Sequence, residues 1–207
     1  MALFLIVIIL TTVTNFTHSS RLDLDKALDN LERAVRFSGD EATLRNAIVR
    51  IHFILDEAPQ EYAVEYGPND SFVLPKVQQK EIVESLEDRK LLNKKIEKLN
   101  QKFNKVAEFK SENHKVEEGV KIIGVGSSLD RQLNLDGDAA LYVYPTGEKD
   151  AGIIILASDE ELAYLALDPF TSQFKREYYK IDSEVDEEDL IDLQNDKAKE
   201  IFTEWLK

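Results

Sequence analysis

The side chains that most often carry catalysis and metal binding are scarce in this chain. It has no cysteine and three histidines, His18, His52 and His114, which lie far apart in the sequence. The lack of cysteine excludes disulfides, thiolate metal sites and cysteine nucleophiles within these residues. His52 has no neighbouring ligand or base in its own segment, and we predict a polar residue on the open face of a strand. A histidine-based triad or metal centre is therefore not expected.

Two short polar motifs have some of the residues that ligand binding needs, but neither is complete. Residues 134–138, NLDGD, place oxygen ligands at alternating positions as a calcium loop does, without the remaining spacing or the distal glutamate. We predict a plain turn there. Residues 124–128, GVGSS, are too short for a nucleotide-binding fingerprint and are not followed by Lys-Ser or Lys-Thr. The sequence predicts a non-enzymatic protein with no catalytic residue, metal, cofactor or small-molecule substrate.

The composition is that of a folded, acidic protein. Of its 207 residues, 43% are hydrophobic and 32% are charged, which is typical of a globular chain and not of a disordered one. The net charge is −14, so sequence-independent binding to nucleic acid is not expected. Residues 76–115 differ, with 11 Lys or Arg against 7 Asp or Glu. Because acids alternate with the bases there, we predict a solvated helix or a partner-binding arm.

The first element of the chain is an apolar N-terminal stretch. Residues 2–16 carry no charged side chain. About 15 mostly apolar residues run here without a charged side chain, whereas a membrane-spanning helix needs about 20. A secretory signal would have positive charge before its apolar region, and only Met1 precedes this one. These residues alone leave two alternatives open, a retained membrane anchor and a signal peptide that is removed.

An amphipathic helix is predicted next, over residues 20–47. Its apolar residues recur at spacings of four, three and four, and they are Leu24, Leu28, Leu31 and Val35. Such a stripe packs on the helix's own domain, or serves in part as an assembly interface with other subunits. Gly39 predicts a kink or a break between two helical pieces, because glycine costs about 1 kcal/mol relative to alanine inside a helix.

The rest of the chain predicts β-structure with two helical additions. Period-2 alternation on both sides of a proline-containing turn predicts a first β-hairpin within residues 48–75. A charged helical insertion is predicted for residues 76–118, from an apolar stripe near heptad spacing. The members of that stripe are Ile96, Leu99, Phe103, Val106 and Phe109. Successive short strands predict an antiparallel sheet over residues 119–181, and residues 182–207 predict an acidic helix whose last apolar turn docks on the domain or on a neighbour.

The fold class that follows is α+β. A long N-terminal helix is expected to pack on an antiparallel β-sheet domain, with an inserted charged helix and a C-terminal acidic helix. Residues 153–156 are apolar at every position, so their strand should be central and covered on both faces, with the N-terminal helix as the natural cover.

In this order of elements the chain resembles the type IV pilin-like proteins. It is most similar to the minor pseudopilins of type II secretion of the general secretion pathway protein H type. The resemblance covers residues 2–75 and 119–181, and its motifs are LDNLERAVRF at 28–37, EATLRN at 41–46, YVYPTG at 142–147 with GIIIL at 152–156, and LALDPFT at 165–171. The hairpin from 49 to 66 is similar to the first hairpin of that family.

The resemblance implies a structural subunit anchored in the bacterial inner membrane by a single pass over residues 1–19, with its globular domain in the periplasm. Its partners would be other pilin-like subunits, contacted through the N-terminal helix, so the stripe Leu24, Leu28, Leu31 and Val35 would be an assembly interface. The family's processing motif is a leader ending in glycine, then phenylalanine, then glutamate four residues later. It is not found here, so a start upstream of Met1 and a loss of processing stay as alternatives.

A second hypothesis is a secreted or periplasmic β-rich binding module whose first 19 or so residues are removed. Such a module would use its sheet or its basic helix to hold a protein or glycan partner.

Overall fold

The fold is described from a computed structural model. It describes residues 2–68, 94–95, 97–109, 113–129, 131–181 and 186–207, with the backbone alone for 2–19 and 187. Residues 76–93 of the predicted insertion, and residues 69–75 of the predicted hairpin segment, lie outside the described residues.

Helix α1 spans Ala2–Arg45, 44 residues. It runs through Gly39, so the predicted break at that glycine is wrong. A Cβ at Gly39 would meet nothing within 4 Å, and the apolar residues on either side of it are held against the sheets. The helix ends in a Schellman motif: Asn46 has φ 48, its N–H donates to the Thr43 carbonyl, and the Ala47 N–H donates to the Ala42 carbonyl.

The described strands form two antiparallel sheets, which confirms the α+β prediction. The first sheet has the order β3-β2-β1-β7, with β4 also paired to β2, and its strands are β1 (Val49–Ile54), β2 (Glu61–Tyr66), β3 (Asn104–Lys105), β4 (His114–Lys115) and β7 (Asp138–Val143). The second has the order β10-β9-β8-β5-β6, and its strands are β5 (Lys121–Ser127), β6 (Gln132–Asn134), β8 (Gly152–Ala157), β9 (Glu161–Leu167) and β10 (Phe174–Lys180).

One strand crosses between the predicted regions. β7 belongs by sequence to the 119–181 segment, but it pairs with β1 of the first hairpin, with Ile51 opposite Leu141. That segment is therefore not one continuous meander. The apolar alternation of β7 continues the buried face of β1, and this pairing buries it. Gln60 links the two sheets, because its amide donates to the Leu55 and Ile122 carbonyls and accepts from the Ile122 N–H.

The predicted helical insertion is wrong in its C-terminal part. Residues 97–100 are helical, but the chain turns after them and supplies β3 and β4 to the free edge of β2. The Val106 N–H donates to the Val64 carbonyl, and the Val116 N–H donates to the Gln60 carbonyl. The edge of β2 presents backbone N–H and C=O groups that can bond to another strand. Pairing with that edge favours strands β3 and β4 over the helix that the apolar stripe predicts.

The second sheet lies between two helices. On one face, Ile154 and Leu156 share a core with the stripe of α1. On the other, Ile153 and Ile155 pack with the C-terminal helix α2 (Glu187–Trp205), through Ala198, Ile201 and Phe202. The prediction that this strand is central and covered on both faces is confirmed, and the last apolar turn of the acidic helix docks on the domain itself.

Candidate functional site

Helix α1 is the element to which the sequence assigns assembly. Its four stripe residues are all buried, from 0% exposed at Leu24 and Leu28 to 2% at Leu31 and Val35. They form one cluster with side chains of both sheets. The structure thus places the stripe in the domain's own core, and it offers no surface to a neighbour. A charged residue at Leu28 or Leu31 would therefore disrupt the core of the domain and would not affect an intersubunit contact alone.

Ion pairs along one flank fix α1 to β9 and β10. Arg176 of β10 pairs with Asp29 at 2.7 Å and also with Glu32. Burial of Glu32 opposes its ionisation, but hydrogen bonds from Arg36 and Arg176 outweigh burial and lower the pKa of that carboxyl. Nearer the N-terminus, Arg21 pairs with Glu161 at 2.7 Å, and its guanidinium lies 3.4 Å from the centre of the Tyr178 ring.

The outward face of α1 is polar and carries both signs of charge. The residues exposed on it are Leu22, Lys26, Asp29, Arg33, Arg36, Asp40, Thr43 and Leu44. An i,i+4 pair between Glu32 and Arg36 at 2.7 Å orders part of this face. It is the part of the helix between residues 20 and 45 that neighbouring molecules can contact.

The apolar residues 2–16 form the first turns of the same helix. The 18 residues from 2 to 19 correspond to about 27 Å of helix at 1.5 Å per residue. Among the described residues, no helix combines the length and apolar character needed to cross a membrane.

A buried ionic cluster lies on the face of the first sheet opposite α1, and the sequence did not predict it. Arg50 and His52 of β1, Glu65 of β2 and Asp138 of β7 come together there; we call these four the ionic cluster. Arg50 donates from Nε to Glu65 at 2.8 Å, and its Nη2 lies 2.6 Å from the same carboxylate. The predicted open-face position of His52 is wrong, because that residue is 7% exposed and its ring lies between Glu65 and Asp138.

The pKa values of the cluster shift toward the charged forms. Burial would lower the pKa of His52, but hydrogen bonds to Asp138 and Glu65 outweigh it and raise that pKa. Burial likewise opposes ionisation of Glu65, while His52 and Arg50 lower its pKa. The pKa of Asp138 is lowered chiefly by its hydrogen bond with His52. These contacts favour an imidazolium between two carboxylates.

Residues 97–105 cross over the cluster. The ring of Phe103 is buried with its centre 3.9 Å from the Arg50 guanidinium carbon, and it packs near Tyr142 at a centroid distance of 6.3 Å. Asn100 donates from Nδ2 to Asp138 at 3.2 Å. The hairpin pattern held one clue to this arrangement, since β1–β2 pairing sets Arg50 opposite Glu65. Nothing local connects His52 to Asp138, 86 residues away.

A cavity of about 480 Å³ opens at the C-terminal end of α2. Its lining includes Trp205, Phe174, Arg131 and Lys175. Lys175 is paired with Glu177 at 2.7 Å. The nearby Asp168 carboxylate accepts the backbone N–H groups of Phe170 and Thr171. Lys175 and Asp168, which both line the cavity, are therefore already engaged in structural contacts.

Residues of both short polar motifs take part in structural contacts. Within the described part of the chain, no group of three His, Cys, Asp or Glu side chains is arranged to hold a metal. The carboxylate of Asp138, at the end of the 134–138 turn, faces His52 and Asn100. Ser127 accepts the Leu129 N–H in a local turn.

Comparison with known proteins gives no family assignment. No protein-family model, no curated protein and no solved structure matches this chain.

Proposed function

We propose that this protein is a non-enzymatic, membrane-anchored pseudopilin-like subunit of a type II secretion or type IV pilus-like apparatus. The observation that carries the proposal is the continuity of α1 from Ala2, in the apolar run, to Arg45, on the domain. An unbroken helix fixes the domain relative to whatever holds its apolar end. The two antiparallel sheets hold the helix from about residue 21 onward. They do so through its buried leucines and through the ion pairs Arg176–Asp29 and Arg21–Glu161.

The partners in this proposal are other pilin-like subunits. They contact α1 through its apolar first turns and through the outward face from Leu22 to Leu44, since the stripe is occupied by the sheets. That face carries Lys and Arg together with Asp, so copies set side by side can bring opposite charges together. The apolar end resides in the inner membrane and the domain lies in the periplasm.

Cysteine crosslinking tests the proposal directly, because the chain has no native cysteine. Leu22→Cys places a thiol on the outward face of α1, at a residue 47% exposed, and Phe170→Cys places one on the β9–β10 turn at a residue 78% exposed. In membranes of the source cell, a bismaleimide should join two neighbouring copies that both carry Leu22→Cys, and the Phe170→Cys control should give far less product.

N-terminal mass spectrometry of the native protein accompanies that experiment. Retention of the apolar run in the membrane fraction agrees with the proposal. A soluble protein that begins near Ser20, with no crosslink through position 22, contradicts it and favours the secreted or periplasmic binding module.

A further inference from the structure

We infer that the ionic cluster of Arg50, Glu65, His52 and Asp138 is a pH-sensitive latch that holds residues 97–106 on the first sheet. This inference is independent of the proposed assembly function, because it concerns the face of that sheet opposite α1.

The geometry of His52 favours a doubly protonated ring. Its Nδ1 lies 3.4 Å from Oε2 of Glu65, and its Nε2 lies 3.1 Å from Oδ1 of Asp138. A neutral imidazole has one N–H, so only the imidazolium can donate to both carboxylates. In the neutral ring one nitrogen lone pair would face a carboxylate oxygen.

The charge balance of the cluster also favours a protonated His52. Glu65 and Asp138 contribute two negative charges, and Arg50 contributes one positive charge. With His52 protonated the cluster is neutral, and without that proton it carries a net charge of −1. Arg50 is 2% exposed and Glu65 is 8% exposed, whereas the Asp138 side chain is 33% exposed. The uncompensated charge is therefore shared between a carboxylate out of water, where it is costly, and one that is partly solvated.

All the elements around His52 contribute to this balance. Its own strand supplies Arg50, β2 supplies Glu65, and β7 supplies Asp138 and Tyr142. Burial raises the pKa of Tyr142, so this phenol stays neutral over the range in which a histidine titrates. The overlying segment contributes two uncharged side chains, Asn100 and Phe103.

The overlying segment is attached to the groups that titration would disturb. Asn100 donates to Asp138, which is also the partner of His52 Nε2. Phe103 packs on Arg50, whose position depends on Glu65. Beyond Phe103 the chain continues as β3, and the Val106 N–H donates to the Val64 carbonyl at 2.9 Å. Loss of the proton from His52 therefore weakens the contacts that seat this segment. Release of the segment would uncover the edge of β2 at residues 64–66, a site at which another strand can pair, while β4 would still cover residues 61–62.

Amide hydrogen exchange at Val106, whose N–H donates to the Val64 carbonyl, measures the opening of the latch once it is corrected for the intrinsic rate. NMR of the imidazole nitrogens measures the titration of His52 in the same samples. The opening constant should rise severalfold as the pH increases from 6 through the pKa of His52, with a slope no steeper than about tenfold per pH unit for one proton. His52→Gln should abolish this dependence.

His114→Gln is the matched control. His114 belongs to β4, which pairs with the same edge of β2, and its ring stacks on Tyr62 with 5.2 Å between the ring centroids. Its removal should leave the pH dependence in place. Asp138→Asn keeps the imidazole and changes a partly exposed carboxylate, so it serves if His52→Gln does not fold. It should lower the pKa of His52 and move the exchange midpoint to lower pH. Exchange that does not change with pH, a dependence that survives in His52→Gln, or a midpoint unmoved in Asp138→Asn would each overturn the inference.

Discussion

Gly126 of β5 lies against the ring of Phe202 of α2: a Cβ on this glycine would be 2.4 Å from the Cε2 atom of that ring. Real Cβ atoms do not come so close, so α2 rests on the sheet at a spot that only glycine allows. The same Cβ would lie 3.0 Å from the backbone carbonyl oxygen of Gln132, so a methyl group could not be fitted by moving toward β6.

Gly126→Ala should therefore lift the end of α2 and lower the free energy of unfolding by about 1–3 kcal/mol, the usual cost of overpacking a core. Trp205, the chain's only tryptophan, lies near Phe202 at 5.8 Å between ring centroids, so its fluorescence reports the displacement. Adding Phe202→Leu to Gly126→Ala should recover part of the loss in chemical denaturation. Wild-type stability and an unchanged emission spectrum in the single variant would contradict the contact.

Gly39→Ala should act in the opposite direction. The site is in a helix interior, and the added methyl group would meet nothing within 4 Å. Alanine there should stabilise the protein by about 0.5–1 kcal/mol, because it loses less backbone entropy on folding. Gly119 is the matched control: its added methyl group also meets nothing, but its φ of +78° disfavours any L side chain, so Gly119→Ala should destabilise. Thermal unfolding of the two variants separates these effects.

Alanine substitution at two leucines of α1 distinguishes a buried packing position from an exposed one. Leu28 is 0% exposed and Leu22 is 47% exposed on the same helix. Leu28→Ala should cost about 2–5 kcal/mol of unfolding free energy through transfer and cavity terms, while Leu22→Ala should stay within about 0.5 kcal/mol of wild type. Urea denaturation with circular dichroism gives both values. Equal effects of the two substitutions would mean that the stripe is not the core of the domain.

The elements that sequence patterns predicted correctly are those whose signals are local. The stripe of α1, the β1–β2 hairpin and the all-apolar strand β8 each follow from the spacing of residues within one segment. The missed features depend on partners far away. An apolar stripe typical of a helix runs through the segment that contains β3 and β4. These two short strands instead pair with the edge of β2, about 40 residues earlier. His52 was placed on an open face because its covering segment begins some 45 residues later.

Glu65→Gln gives the sharpest test of how the ionic cluster affects stability. The pKa of Glu65 is lowered in the fold by His52 and Arg50, despite its burial, so the native state binds fewer protons than the unfolded state as the pH falls through this carboxyl's range. Stability from Glu65 is therefore present above its unfolded pKa and is lost as the pH drops through the folded value. Glu65→Gln removes that acid-side slope and leaves Arg50 buried without its carboxylate, which should cost about 3–5 kcal/mol at neutral pH.

The double variant Arg50→Met with Glu65→Gln distinguishes a lost attraction from a stranded charge. Methionine fills much of the volume of the Arg50 side chain and lies against the Phe103 ring without a charge to solvate. If the cost of Glu65→Gln arises from the uncompensated guanidinium, the double variant should recover most of the stability in urea titrations at pH 7, and it should not restore the slope on the acid side. A double variant as unstable as Glu65→Gln would place the cost in the lost carboxylate contacts to His52 instead, because those contacts are absent from both variants.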